Sequence, residues 1–389
     1  MITLKLKNKE DRRLRRGHPW AFSNEIEGKL TGIEAGELVL LADHMGKPVG
    51  TGYLNPHTLI AFRLLTRGNE EFGPATIRRR ILDAKALREK FYPGQTTYRA
   101  VFSESDQLPG LVVDRYGSWL VIEALTAGIE RLMPQILESL EEAYSPDGIV
   151  LRNDSRSREL EGLPLEKTVI KGEYSGPVQV EISGLKLEVD LLEGQKTGFF
   201  LDQADNYRLL DGISEGASVL DLFCHTGAWA SYAAKAGAAS VLGIDASAHA
   251  LETAKRNAGL NGLANVEFLK EDVFDYLKAA VSEGKRFDLI IADPPAFIKS
   301  RAKLAEGLKG YRDLNIKAMK AVAHGGWLIS CSCSHHMDRE SFREMLRTSA
   351  AAAGRVVRLV EERSQSKDHP VLLAAPETEY LKAALLQVL

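Results

Sequence analysis

Four carboxylates recur at the ends of short apolar runs, and their order is the most chemically suggestive feature of the chain. Asp221 lies in ASVLDLF, Asp245 closes SVLGID, Asp272 closes NVEFLKED, and Asp293 follows FDLIIA. Taken singly, each acid reads as a helix cap or a surface charge. Four in succession at strand ends point instead to a ligand held along one edge of a sheet. The turn after the first run, Cys224-His225-Thr226-Gly227, lacks the G-x-G-x-x-G spacing that admits a pyrophosphate, so a dinucleotide is disfavoured. Asp221 beside the tight Thr226–Gly227 turn suits a cofactor with a cationic amino-acid end. Asp245 can accept both hydroxyls of a ribose, and Asp272 can accept an adenine amino group. A fifth run, WLISCSCS, ends in Ser332-Cys333-Ser334-His335-His336. A thiol there is a candidate nucleophile, but with an ordinary pKa of about 8.5 it needs help to ionise. Cys331 shares its side by the period of two and reads as packing, as does Cys224. The Cys/His spacing matches no zinc pattern, so no metal is expected.

These positions require an alternating framework. From about residue 194 the chain alternates apolar runs with helical stretches, which implies a doubly wound, Rossmann-like α/β domain with a mostly parallel seven-stranded sheet. Upstream, ITLKLK, ELVLLAD and LIAFRLL read as strands of a small β-rich module over residues 1–70. TIRRRILDAKALREKFY then reads as a linker helix, with Ile77, Ile81, Leu82, Ala84 and Leu87 near helical spacing. It leads into a central α+β domain over 71–185, and the α/β domain occupies 186–389.

Composition narrows the class. Hydrophobic residues at 44% and charged residues at 26% describe a folded chain rather than a disordered one. No apolar run is long enough to span a bilayer and the start has no signal-peptide core, so a cytoplasmic protein without a membrane partner is expected. Three cysteines give no disulfide framework. The net charge of −3 hides a gradient: residues 1–90 hold 17 Lys and Arg against 11 Asp and Glu, and the remainder holds 33 against 42. Two basic clusters, around Arg12, Arg13, Arg15 and Arg16 and around Arg78, Arg79 and Arg80, suit a phosphate backbone through counterion release.

The ordered set D-x-F-x-x-T-G, G-I-D, E-D-V-F and D-P-P resembles the class I S-adenosylmethionine-dependent methyltransferases over roughly residues 194–389. The segment Gln195-Lys196-Thr197-Gly198-Phe199-Phe200-Leu201-Asp202-Gln203 resembles the cofactor-covering segment of one branch, the RlmI-like ribosomal RNA large subunit methyltransferases. Gly17-His18-Pro19-Trp20-Ala21-Phe22-Ser23 resembles the opening of that branch's N-terminal PUA RNA-binding module, so the likeness covers nearly the whole chain. It implies S-adenosylmethionine held by Lys196, Thr197, Phe199, Asp221, Phe223, Thr226, Gly227, Asp245, Asp272 and Asp293, with large-subunit ribosomal RNA as partner and a homodimer left open. In cytosine-C5 members of the class the nucleophile lies in a T-C-S motif, matched by Ser332-Cys333-Ser334. This implies Cys333 and Asp293 as the catalytic pair, Asp293 hydrogen-bonding cytosine at N3. A second cysteine that assists release in many such enzymes is replaced by Ala296. Two other readings remain: methyl transfer to a base nitrogen, since D-P-P followed by Phe297 also occurs in such enzymes, and a non-catalytic RNA-binding assembly factor.

Overall fold

The computed structural model describes all 389 residues, which fold into two compact units. The first contains residues 1–180, 189–201 and 367–378; the second contains 181–188, 202–366 and 379–389.

In the first unit, β1 (Ile2–Lys5), β2 (Trp20–Ala21), β3 (Glu37–Ala42), β4 (Pro48–Leu54) and β5 (Phe62–Leu64) form a sheet of order β1-β3-β4-β5-β2, with a short helix α1 (Asp11–Arg15). Leu6, Leu14, Val39, Leu41, Leu54 and Phe62 fill its core. Gly50 and Gly52 let neighbouring backbone come close, since a Cβ at either would lie 2.0 Å from the Thr66 carbonyl or 2.2 Å from that of Arg63. A second sheet follows: β6 (Thr97–Phe102), β7 (Leu111–Tyr116), β8 (Trp119–Ala124), β9 (Gly148–Asn153) and β10 (Glu166–Lys171), in the order β10-β9-β8-β7-β6. Helices α2 (Pro74–Phe91) and α3 (Ala127–Tyr144) cover one face, and a short α4 (Ser157–Leu160) precedes β10.

The expected linker helix is therefore a core helix. Ile77, Ile81 and Ala84 pack with Tyr98, Val113, Leu120 and Ile136. Its buried stripe also takes in Arg80 and Arg88, whereas Leu82 points outward. Arg88 is fully buried and forms two 2.7 Å bonds to Asp106, while its Nε donates to the Arg99 carbonyl at 2.9 Å.

A hairpin of β11 (Val178–Ile182) and β12 (Leu185–Val189) precedes the second unit's sheet. That sheet comprises β13 (Ser218–Leu222), β14 (Ser240–Asp245), β15 (Val266–Lys270), β16 (Phe287–Ala292), β17 (Val322–Ser332), β18 (Val357–Arg363) and β19 (Lys382–Val388). Its order is β15-β14-β13-β16-β17-β19-β18, with β19 antiparallel to both neighbours and the rest of the pairs parallel. Helices α5 (Ala228–Lys235), α6 (Ala248–Leu260), α7 (Val273–Ser282), α8 (Leu304–Ala321) and α9 (Arg339–Ala353) complete the doubly wound arrangement. Central strands covered on both faces need apolar residues throughout, which explains the continuous runs VLDL and LIIA. The chain reverses its direction of strand addition between β13 and β16, and the crevice beyond that switch is where such sheets bind ligands.

The linear division at residue 185 does not hold. Residues 189–201 and 367–378, expected in the α/β domain, pack in the first unit. The reason is the polar content of the central sheet: Arg152 donates to the carbonyls of Leu191 and Gly194, and Arg88 to that of Asp368.

Candidate active site

In the second unit, β13 delivers Asp221 into complete burial, with Oδ2 accepting from Ala230 N–H at 3.0 Å and Oδ1 without a partner. Burial, reinforced by the charges of Asp293 and Asp245, pushes its carboxyl well above the ordinary range. The following turn is tightly coiled. Phe223 (φ +61°), His225 (φ +49°) and Gly227 (φ +78°) are all left-handed, a conformation that non-glycine residues hold only when surroundings enforce it. At Gly227 a Cβ would come within 2.9 Å of Ala254 and Phe268. Asp245, half-buried, fixes the turn from the next strand by accepting from His225 N–H (3.0 Å) while also accepting from Ser247 N–H (2.8 Å). Asp272 is exposed and caps α7 through one oxygen, which accepts from Phe274 and Asp275 N–H. Cys224 is buried against Gly243, and burial pushes its thiol up, consistent with packing.

The D-P-P loop adjoins this turn. Asp293 Oδ2 accepts from Gln203 Nε2 (2.9 Å) and Trp229 Nε1 (3.1 Å), and Asn206 Nδ2 in turn donates to Gln203 Oε1 (2.7 Å). Phe223, Phe274 and Phe297, each half-buried, make a triangle with ring centroids 6.1–6.3 Å apart, and Phe297 also packs on Tyr311 at 4.7 Å. Neither Gln203's and Trp229's grip on Asp293 nor the Phe274 corner of the triangle was visible from spacing. An aromatic two residues after two of the strand-end acids, Asp221–Phe223 and Asp272–Phe274, was the available signal.

Cys333 is the first residue beyond β17 and is half-buried, while Cys331 is fully buried with its thiol pushed well up by burial. Ser334 ties this turn to the D-P-P loop: its Oγ lies 2.9 Å from Tyr311 Oη and accepts from Ile298 N–H at 3.2 Å. His335 stacks on Tyr380 with centroids 5.2 Å apart. The structure thus gathers Asp221, Phe223, Thr226, Gly227, Asp245, Asp272, Asp293 and Cys333 on one sheet edge of one unit. A groove of about 710 Å³ lies elsewhere, against α9 and β18, and is lined by none of them.

Lys196, Thr197 and Phe199 belong to the first unit. There Thr197 is fully buried and donates from Oγ1 to Asp114, which is itself held by two 2.8 Å bonds from Arg99. Phe199 N–H donates to Tyr116 Oη at 3.1 Å. The expectation that the Thr197 side chain binds a cofactor is corrected: its hydroxyl is committed to Asp114. Lys196 is exposed, with φ +52° and its Nζ 4.8 Å from the Phe200 ring.

The basic residues also divide. Arg80 is buried, donating to the carbonyls of Gln107 (2.7 Å) and Leu65, and burial lowers its pKa to about 10. Its expected role at a phosphate is corrected for that reason. Arg13 is paired with Glu25, Arg15 with Asp11 and Asp43, Arg78 with Glu142 and Arg79 with Glu70. Arg12 and Arg16 are exposed and have no carboxylate partner.

Comparison with known proteins agrees with this architecture. A family model described as a PUA-like domain matches residues 4–67, and one described as a methyltransferase domain matches 213–375. Over 100% of this chain and 99% of the relative, it is 40% identical to ribosomal RNA large subunit methyltransferase I of Shewanella denitrificans. Among solved structures, a protein from Streptococcus mutans assigned as a SAM-dependent methyltransferase superposes with a TM-score of 0.85 at 22% identity, covering both chains completely. A methyltransferase structure in complex with SAH gives 0.87 at 22%, again over both whole chains. No helix here is long and apolar enough to cross a membrane.

Proposed function

This chain belongs to the ribosomal RNA large subunit methyltransferase I family, and we propose that its reaction is methylation of carbon 5 of a cytosine through a covalent adduct with Cys333. It is an S-adenosylmethionine-dependent methyltransferase acting on large-subunit ribosomal RNA. The observation that carries the finer reading is the position of Cys333: a half-exposed thiol at the end of β17, stitched through Ser334 to the loop bearing Asp293.

The donor set fits the cofactor. Asp221 offers a buried carboxyl with an unsatisfied oxygen, which suits an α-ammonium group. Asp245 and Asp272 each keep acceptor capacity beyond their backbone bonds, for ribose hydroxyls and an adenine amino group. The Phe223, Phe274 and Phe297 rings offer an apolar wall. When bound, S-adenosylmethionine supplies an electrophilic methyl group.

Carbon 5 of cytosine is a weak nucleophile, so the protein must activate it. Cys333 Sγ adds to carbon 6, the electron pair moves toward N3, and carbon 5 becomes nucleophilic. Asp293, held by Gln203 and Trp229, hydrogen-bonds the ring at N3 as charge builds there. After methylation, loss of the carbon-5 proton and departure of the thiolate restore the aromatic ring. Arg12 and Arg16 bind phosphates from the PUA-like module.

RNA containing 5-fluorocytidine has no carbon-5 proton to lose, so the adduct should persist as a covalent complex. Wild-type protein should be trapped and Cys333→Ala should not. Cys331→Ala and Cys224→Ala should still trap. Trapping by Cys333→Ala, or methylation appearing on a ring or exocyclic nitrogen, would overturn the mechanism.

A further inference from the structure

Lys382 opens β19 directly opposite Ser332 in the β17 register, one residue before Cys333. It is only 4% exposed. Its Nζ donates to the carbonyls of Ser334 and Tyr380, each at 2.8 Å, and it makes no ion pair with any carboxylate. A buried ammonium held by neutral carbonyls alone is costly, since carbonyl dipoles replace only part of its hydration. Glu379, the nearest acid in sequence, is instead bonded to Arg339 through Nε at 2.8 Å and Nη2 at 2.5 Å. Burial lowers the Lys382 pKa to about 8, and Cys333 is the strongest influence opposing that fall, ahead of Glu379 and Asp338, with Arg339 acting the other way. Near the Cys333 turn, Tyr311 from α8 and Cys331 from β17 are both pushed up by burial and therefore neutral, while the carboxylate of Asp293 lies on the loop that Ser334 joins to this turn. The Lys382 ammonium thus sits on the carbonyl of Ser334, the residue after Cys333, and places a cation on the turn that carries the thiol.

We propose that Lys382 is the positioning residue that readies Cys333 for attack, its ammonium holding the sulfur as a thiolate while it braces the Cys333–Ser334 turn through the Ser334 carbonyl. The proposal rests on the reading of Cys333 as the nucleophile. In this arrangement thiol and amine share one proton. Placing that proton on Nζ leaves an ammonium–thiolate pair with charge and atoms balanced and no co-reactant. The same pair explains how a lysine without a carboxylate partner is tolerated at this depth.

The test is the pH dependence of Cys333 alkylation by iodoacetamide, an uncharged reagent, in the full-length protein without RNA, read by fragment mass at Cys333. Lys382→Gln keeps an N–H for the Ser334 carbonyl and removes the charge. Its alkylation midpoint should rise by about one pH unit, with alkylation at pH 7 about tenfold slower. Lys382→Arg should stay near the wild-type midpoint. A purely structural role would change rates at every pH without moving the midpoint. Coincident midpoints for wild type and Lys382→Gln would overturn the proposal. So would a wild-type midpoint at or above about 8.5, a result that needs no variant to fold. Because this titration involves no RNA, a normal midpoint shift with no 5-fluorocytidine trap would overturn the cytosine mechanism and not the role of Lys382.

Discussion

Charged residues are plentiful in both units, yet they serve opposite ends. In the first unit two arginines of α2 and one of the central sheet point inward: Arg80 onto two carbonyls, Arg88 onto Asp106, Arg99 onto Asp114. Arg88 and Arg99 are each answered by a carboxylate within the unit, and Arg80 by two carbonyls, with its Nε alone left without a partner. In the second unit the strand-end acids are answered only in part, Asp221 keeping one oxygen with no partner at full burial. A buried charge that is paired organises structure, whereas a buried carboxyl oxygen left unpaired on a ligand-binding edge marks a place where a ligand is needed. The difference separates scaffold from site better than local charge density does.

The largest effect expected from breaking this contrast is at Cys333, where Cys333→Ala should abolish carbon-5 methylation in a rate assay while leaving cofactor affinity unchanged.

Next comes the scaffold. Arg88→Ala leaves Asp106 buried and unpaired, and should cost about 3–5 kcal/mol of stability in denaturant melts. If Arg88→Ala unfolds no more readily than wild type, the buried pairs do not organise the first unit.

The site acids should respond through binding. Asp245→Ala should weaken S-adenosylmethionine by about 1.5–3 kcal/mol in calorimetry, with little change in stability. Asp221 sharpens the contrast through pH. Its carboxyl is raised in the free protein, so it holds its proton, and an arriving ammonium expels that proton and lowers its pKa. Affinity should therefore increase as pH rises up to the free-protein pKa, with proton release visible as buffer-dependent binding heats. Asp221→Asn should remove that release. Heats independent of buffer in the wild type would contradict it.

The smallest effect should come from the surface. Arg12→Ala with Arg16→Ala should flatten the salt dependence of RNA binding by about 0.7–0.9 log unit of slope for each phosphate left unneutralised. An Arg80→Ala protein should show no such flattening, because its guanidinium faces carbonyls.

Sequence by itself determined the α/β domain and its ligand edge. Central parallel strands must be apolar along their whole length, so VLDL, SVLGID and LIIA stand out, and the first residues free to be polar are those at the strand ends. Asp245, Asp272, Asp293 and Cys333 were legible for that reason, and Asp221 as the one acid inside an otherwise apolar strand. The β-rich module was legible from its alternation as well. What the linear order could not hold was any contact distant in sequence. Arg80 and Arg88 share a stripe with Ile77, Ile81 and Ala84, and only the approach of Asp106, Gln107 and Leu65 from other elements turns that stripe inward. Thr197 looked available until Asp114, 83 residues earlier, took its hydroxyl. Lys382 lay unremarked in an apolar strand, and its meaning depends on the antiparallel pairing that sets it opposite Ser332. Residue type and spacing fix which chemistry a chain can offer, but a charge acquires its role only from the partner that packing brings to it, and burial decides whether that partner is optional.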